Sequence, residues 1–505
     1  MSTEASLNLE QPAGAAEAAS SVPLHEQPGL RGRVLQNTAV NIAGRGLAIF
    51  FSAGAAVLLA RFLGAEKLGE YGAIYAYLAL FAWLATFGFE PVLVREMSRE
   101  RENASNLLRT AMVLSTFLSV GTVAVAVLAA PLAGYTGYLR TLLVLAGLEY
   151  VLTPLRLPAL IFQVDMRQWY SATINVVRQG VWFAMIVVLW LFGAPLLYVV
   201  GGRVLAAALE SWLMWRCSRP LLKERGRFLA DHAGTIFSHS FPIAFTSLLA
   251  MIYMRIDQVM LHKMVSDSAL GQYVAAVKVS ELFETLPSAL MITIAPVLAV
   301  SVADPQRFRN YTDRAFRYFM LGACALCVIL SVAAGLVVRI LYGKQFAPAA
   351  PLLAVLIWSE VPVFFASVVV NVLIAQRKQH LLPIPTLAGA AANIGINLVL
   401  IPRYGALGAS WATLVSYTLA WMVCLLLFKE TRAVTLQGLR YAIPVTTIAL
   451  MDVGLAVFLP TAKILNLILV PSVFGIGMWV TGGVGRADVE YVRGMIRESS
   501  ARIQS

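Results

Sequence analysis

Between Phe237 and Val300 two long apolar runs carry Arg255, Asp257, Lys278, Glu281 and Glu284. Both runs have the length of membrane helices, and a charge at mid-bilayer costs roughly 2.5–3.5 kcal/mol on insertion scales, so such side chains face a protein interior or a watery cavity. The residue types point to two kinds of chemistry. Arginine's planar fork pairs with phosphate oxygens, and a buried carboxylate can take up a proton in one state of a transporter and release it in another. This hairpin is therefore expected to wall a transport path.

More polar side chains recur at helical spacing elsewhere. At about 100° per residue, Glu149, Thr153 and Arg156 share one face, as do Glu360, Phe364, Ser367 and Asn371. Ser171, Asn175, Arg178 and Trp182 form a stripe, and so do Asn37, Asn41 and Arg45. Lys278, Glu281, Glu284, Thr285 and Ser288 fit one arc. Arg255 and Asp257 lie about 200° apart on a regular helix, so only one of them faces a cavity and the other pairs with a neighbouring helix. The candidate anion- and sugar-binding residues are Arg45, Arg156, Arg178, Arg255, Lys278, Asn175 and Trp182. The candidate ion-coupling or gating carboxylates are Asp257, Glu281, Glu149 and Glu360. Against each stands the plainer reading of a helix-to-helix ion pair, and for Glu210, with Arg203 seven residues earlier, that reading is preferred. The spanning segments hold at least as many acids as bases, so the sign of the cavity depends on which acids are paired.

These residues need helices to carry them. The chain has 505 residues, 59% of them hydrophobic and 13% charged, with a mean hydropathy of +0.75, too many long apolar runs for one soluble core. A crossing takes about 20 apolar residues. Fourteen segments fit, near 36–60, 71–95, 107–134, 140–163, 170–193, 196–217, 235–262, 272–302, 315–340, 350–376, 381–401, 406–428, 437–459 and 464–483. The fold expected is all-α: two pseudo-symmetric six-helix bundles around a central cavity, plus a C-terminal pair. The divisions are a disordered tail over 1–34, bundles over 35–217 and 235–430 joined by a basic linker over 218–234, the extra pair over 431–484 and a surface helix over 485–505.

An internal repeat supports this division. Arg61, Leu68-Gly69-Glu70-Tyr71 and Ala73 match Lys263, Leu270-Gly271-Gln272-Tyr273 and Ala275, 202 positions later, and Glu149 matches Glu360 at an offset of 211. Parallel repeats place a binding site near the midplane where they meet.

The net charge of +12 suggests nucleic acid until its distribution is read. Basic clusters such as Arg95/Arg99/Arg101 and Arg216/Arg219/Lys223/Arg225 fall in alternate loops, which is the positive-inside rule. Both termini are expected in the cytoplasm, and no nucleic acid partner is implied. All four cysteines lie in or at the ends of apolar segments, so neither a disulfide framework nor a metal site is expected. Catalytic motifs, cofactor motifs and an ATPase domain are absent from the sequence, and the chain is not read as an enzyme.

Several stretches carry a family resemblance. Leu59-Ala60-Arg61-Phe62-Leu63-Gly64 with the Leu68–Gly72 turn, Gly88-Phe89-Glu90 before Arg95-Glu96, Arg255-Ile256-Asp257-Gln258-Val259-Met260-Leu261, and Ile401-Pro402-Arg403-Tyr404-Gly405 with Gly408–Thr413 resemble polysaccharide-export flippases. These are the oligosaccharidyl-lipid branch of the superfamily that also holds multidrug and toxin extruders. The resemblance covers about residues 33–430. It implies movement of an undecaprenyl-pyrophosphate-linked oligosaccharide across a bacterial inner membrane by alternating access. It also implies contact with membrane lipids, and a polysaccharide polymerase and glycosyltransferases as further partners. Two other readings stay open: an ion-coupled drug extruder, and a non-transporting scaffold of a polysaccharide synthesis complex.

Overall fold

The computed structural model describes residues 30–222, 226–458 and 469–476. Among them the chain is helical, with no strand, because in hydrocarbon only a helix satisfies its backbone polar groups within its own segment. The tail before residue 30, Lys223 and Arg225 of the linker, both ends of the last expected span and the helix expected over 485–505 lie outside the described residues.

The helices longer than ten residues are α1 (Leu30–Ala79), α2 (Phe89–Arg99), α3 (Ala104–Ala129), α4 (Gly137–Val151), α5 (Trp169–Leu191), α6 (Leu196–Ser218), α7 (Ala230–Met264), α8 (Asp267–Glu281), α9 (Thr285–Ser301), α10 (Pro305–Tyr342), α11 (Glu360–Ala375), α12 (Pro383–Thr418) and α13 (Lys429–Phe458). Ten helical units among the described residues are long and apolar enough to cross a membrane, and the protein is a multi-pass membrane protein. The count differs from the fourteen segments expected. Two of the units each hold two of the expected spans, divided at a non-helical glycine, Gly64 in α1 (φ 68) and Gly405 in α12 (φ 58), a backbone region glycine enters at no steric cost. At Gly405 the chain folds back so tightly that a Cβ on Gly408 would lie 2.3 Å from the Leu400 carbonyl oxygen. The two arms are tied by buried amides: Asn397 donates to Asn393 at 2.8 Å, and Asn393 to Ser416 at 3.1 Å.

The repeat is visible as a reciprocal crossing. A Cβ on Gly69 would fall 1.8 Å from the Asp267 carbonyl oxygen, and one on Gly271 1.7 Å from that of Ala65. Advancing either contact by the repeat and exchanging partners yields the other, which is what a two-fold relation between the halves produces. The absence of both side chains lets α1 and α8 touch backbone to backbone, the packing that small residues allow in membranes. Two latches flank the crossing in the same way. Arg61 donates to Leu341 O at 2.6 Å and to Ile340 O, at the end of α10, while its repeat mate Lys263 donates to Leu132 O at 3.0 Å, just after α3. Each cation of one half thus caps carbonyls left over at a helix end of the other. The largest core cluster runs through this region, with Tyr77 and Tyr135 from one half and Leu261, Tyr273 and Val338 from the other.

Both halves also break a helix at the same place. α1 ends at Ala79 and α8 at Glu281, its repeat equivalent. Beyond the break the first half continues through a short helix, Ala82–Thr86, and α2, with Phe87 and Gly88 at positive φ; the second continues into α9. At that end Phe87 stacks on Phe237 with ring centres 4.4 Å apart. A Cβ on Gly88 would lie 3.0 Å from the Ser240 carbonyl oxygen. Cys324 and Cys327 are fully buried in a second core cluster, where Cys327 donates to Ile357 O at 3.1 Å; both are free thiols.

Candidate functional site

Where α1 and α8 diverge from their crossing they enclose a cavity of about 240 Å³. One half lines it with Tyr71, Tyr75, Glu149 and Arg203, the other with Arg255, Gln258 and Lys278. The site residues come from the repeated turn and the helices packed on it. Tyr71 and Tyr75 sit one turn apart on α1, Glu149 near the end of α4, Arg203 on α6, Arg255 on α7 and Lys278 on α8.

Three charge clusters converge here. In the first, Arg203 Nε lies 3.1 Å from Glu149 Oε1, and its Nη1 donates to the Tyr71 hydroxyl at 2.6 Å. Its guanidinium lies 3.7 Å from the centre of the Tyr75 ring, and Tyr75 donates its hydroxyl to Glu149 at 2.9 Å. A cation over an aromatic face gains attraction where water is scarce, so this arginine is held on every side. In the second, Glu281 bridges Arg255 at 2.8 Å and Lys278 at 2.6 Å. In the third, Glu210 lies between Arg178 at 3.3 Å and Arg156 at 3.7 Å. Arg156 also donates to Thr153 at 3.4 Å. The clusters are near one another: Tyr150 is within electrostatic reach of Glu149, Arg156, Arg203 and Arg255.

The stoichiometry is the informative feature. Five cations face three carboxylates in these clusters, and the Glu210 and Glu281 clusters each hold two cations on one acid. Three further acids stand on the neighbouring helices without an ion pair among the described residues: Asp257 and Glu284 are within electrostatic reach of Arg255, and Glu360 is out of reach of the cations. Asp257 is buried and accepts from the Tyr273 hydroxyl and, at 2.7 Å, from the Gln258 N–H. Glu360 is fully buried and accepts from Ser280 at 3.0 Å. A surplus of positive charge in a site of reduced dielectric attracts a multiply charged anion far more than it would in water.

The structure distributes the residues singled out from sequence unevenly. Arg255, Lys278 and Glu149 line the cavity, Glu281 pairs with the first two, and Arg156 and Arg178 pair with Glu210 outside the lining. Arg255 and Asp257 point to different neighbours, one to Glu281 and one to Tyr273. Asn175 is half-buried on α5, one turn before Arg178. Trp182 is buried in the core, with its ring 3.5 Å from where a Gly202 Cβ would stand. Arg45 lies on α1, but its side chain is outside the described residues. The expected pairing of Glu210 with Arg203 is corrected. Glu210 takes Arg156 and Arg178, and Arg203 takes Glu149 from α4, because the lateral packing of α4, α5 and α6, which no single-helix spacing encodes, decides the partners. Arg203 is the charged cavity residue that the sequence reading did not select, beside the uncharged Tyr71, Tyr75 and Gln258. The Tyr71/Tyr75 pair one turn apart in the repeated turn was the available signal that a cation belonged there.

Comparison with known proteins adds the following. A family model described as polysaccharide biosynthesis protein matches residues 58–351. The probable low-salt glycan biosynthesis flippase Agl15 of Haloferax volcanii is 22% identical over 389 residues, covering 75% of this chain and 79% of that protein. Among solved structures, lipid II flippase MurJ in an inward closed conformation superposes with a TM-score of 0.67 at 14% identity, over 87% of this chain and 98% of that one. An inward-facing multidrug resistance MATE transporter of the MOP superfamily gives a TM-score of 0.62 at 13% identity, over 77% of this chain and 95% of that one. At these identities the structural likenesses establish the fold.

Proposed function

The chain belongs to the polysaccharide biosynthesis protein family, and we propose that it is a flippase that moves an undecaprenyl-pyrophosphate-linked oligosaccharide from the cytoplasmic to the periplasmic leaflet of a bacterial inner membrane by alternating access. The observation that carries this reading is the lining of the cavity, three cations, Arg203, Arg255 and Lys278, with one carboxylate, Glu149. A diphosphate brings the missing negative charge, and guanidinium groups receive its oxygens through paired N–H donors. Before the substrate arrives, Glu149, Glu210 and Glu281 hold the cations in place and limit their mutual repulsion. On arrival the diphosphate takes the second position on Arg255 and Lys278, and Arg203 completes the cradle. Arg156 and Arg178, on the half that carries the other unbalanced cluster, draw the headgroup in from the cytoplasmic side.

Alternating access fits the two-fold crossing. The Gly69/Gly271 contact and the Arg61 and Lys263 latches close the end of the cavity that the distribution of basic loops assigns to the periplasm. Opening there requires that these contacts part while the cytoplasmic ends approach. Glu360, buried away from the cations, and Asp257, buried near Arg255 without pairing to it, are the groups proposed to couple this change to proton or ion movement, with Glu149 and Glu281 gating the arginines. Likeness to flippases by name, in the Haloferax relative and in the lipid II flippase, supports the reading. Transport without chemical conversion fits the lack of catalytic motifs.

The test is a gene-deletion strain assayed for surface polysaccharide, lipid-linked oligosaccharide and drug susceptibility together. The expected outcome is loss of surface polymer with lipid-linked oligosaccharide trapped on the cytoplasmic leaflet, restored by the wild-type gene but not by Arg255→Ala. Normal polymer with raised drug sensitivity would overturn the reading in favour of an extruder.

A further inference from the structure

A second opening lies beside the charged cavity, between α9 and α11, and its chemistry is different. It encloses about 440 Å³ and presents Glu284, Ser288, Ser367 and Asn371 among apolar side chains such as Met291 and Val370. It contains no lysine or arginine, and Glu284 makes no ion pair among the described residues. Asn371 donates its amide N–H to Ser367 O at 2.8 Å, which leaves its side-chain carbonyl as an acceptor. A concave site with mostly apolar walls and a few convergent polar groups is the usual form of a small-ligand pocket.

The internal repeat shows that this opening is not forced by the architecture. The first half places Phe89, Leu93 and Leu160 at the positions of Met291, Ala295 and Asn371. All three are buried there in a continuous core. The same positions of the repeat are therefore packed solid in the half that continues as a short helix and α2, and hollow and polar in the half that continues as α9. The second half also loses the cation: Ser367 stands at the position of Arg156.

The opening adjoins the charged cavity. Glu284 is within electrostatic reach of Arg255, Lys278 and Glu281. Ser288 lies ten residues beyond Lys278 along α8 and α9, about 15 Å at helical rise. A headgroup on Arg255 and Lys278 would direct whatever is attached to it along this wall.

We infer that the opening between α9 and α11 is a glycan subsite for sugars rich in hydrogen-bond donors and free of carboxylates, with Glu284 as the residue that excludes acidic sugars. This inference rests on the flippase reading and names the substrate class for it. Sugar hydroxyls donate to the Glu284 carboxylate and the Asn371 carbonyl, Ser288 and Ser367 exchange hydrogen bonds in either direction, and the apolar wall takes the ring faces. A uronic acid would bring its carboxylate against Glu284, while the nearest cations, Arg255 and Lys278, lie outside the pocket and are already paired with Glu281. Selectivity by such repulsion is a common route to discrimination.

The experiment uses the full-length protein in lipid nanodiscs and three probes: polyprenyl diphosphate, the same lipid carrying a neutral disaccharide, and the same lipid carrying a disaccharide with a hexuronic acid. The wild type is expected to bind the neutral glycolipid most tightly. The Ser288→Ala/Asn371→Leu double variant should weaken the neutral glycolipid about tenfold, the scale of two lost neutral hydrogen bonds, and leave the bare lipid unchanged, which also shows that the variant is folded. Glu284→Gln should bring the uronate lipid to within a few-fold of the neutral one. If the double variant leaves all three affinities unchanged, or weakens bare and neutral lipids equally, the subsite is overturned. It is also overturned if the wild type prefers the uronate lipid. Binding of bare lipid that depends on Arg255, without sugar discrimination, removes the subsite and keeps the flippase reading. Failure of the wild type to bind any of the three lipids removes both.

Discussion

Arg203 illustrates how much of the site rests on single side chains. It reaches from α6 to Glu149, Tyr71 and the Tyr75 ring together, and its removal would leave Glu149, 19% exposed at the side chain, without a cation. Breaking one side of a partly buried pair costs more than the pair contributes, because the remaining charge stays desolvated. Arg203→Ala is therefore expected to lose about 1–3 kcal/mol of stability, seen as a lowered melting temperature in detergent, together with loss of transport. The double variant Arg203→Ala/Glu149→Gln should recover most of the stability and none of the transport. Recovery of transport in the double variant would show that Arg203 serves only to neutralise Glu149.

The contact between elements that matters most is the glycine crossing of α1 and α8. At Gly69 a methyl group would overlap the Asp267 carbonyl oxygen at 1.8 Å, far inside contact distance, and backbone cannot rotate aside as a side chain can. Gly69→Ala and Gly271→Ala are thus expected to part the helices at this end, strain the Arg61 and Lys263 latches and bias the protein towards its other state. Gly46→Ala, on the same helix with nothing within 4 Å of the new atom, should be neutral. The check is labelling of an Ala65→Cys probe by a membrane-impermeant maleimide, which should rise several-fold in the Gly69→Ala background and stay unchanged with Gly46→Ala. Equal labelling in both backgrounds would remove the crossing from any gating role.

On the level of the whole molecule, two halves of matching architecture meet at one end and enclose a cavity behind the meeting point. If transport requires that end to open, a covalent bond across it should arrest the cycle without destroying the binding site. The positions are supplied by the fold: a Cβ on Gly72 would lie 3.6 Å from that of Val274, within the range of a disulfide, roughly 3.5–4.5 Å. Oxidised Gly72→Cys/Val274→Cys is expected to lose polymer export, to keep its affinity for polyprenyl diphosphate offered from the cytoplasmic side, and to regain export on reduction. Undiminished export with the bond intact would exclude alternation of this end.

The sequence by itself determined that this is a helical membrane protein, where most of its spans lie, and that it carries two repeats with the same turn, Leu68–Tyr71 and Leu270–Tyr273. These properties are legible because hydropathy and periodicity are local, and a repeated turn is recorded in the residues that make it. The turn's glycines are required by the close approach of α1 and α8, so the pattern and the contact are one constraint seen twice. Helical spacing also identified the faces carrying Glu149, Arg255, Lys278 and Glu281, since the angle of a residue about its own axis follows from its number. Only the tertiary structure decided who meets whom. How far each helix is rotated, and which helix lies beside it, are set by packing among segments hundreds of residues apart. That is why Glu210 pairs with Arg156 and Arg178 and not with Arg203, and why Trp182 is core. The surplus of cations over acids lining the cavity, and the hollow beside Glu284 where the repeat mate is solid, have the same origin. Both are sums over side chains from many helices, and no stretch of sequence carries such a sum.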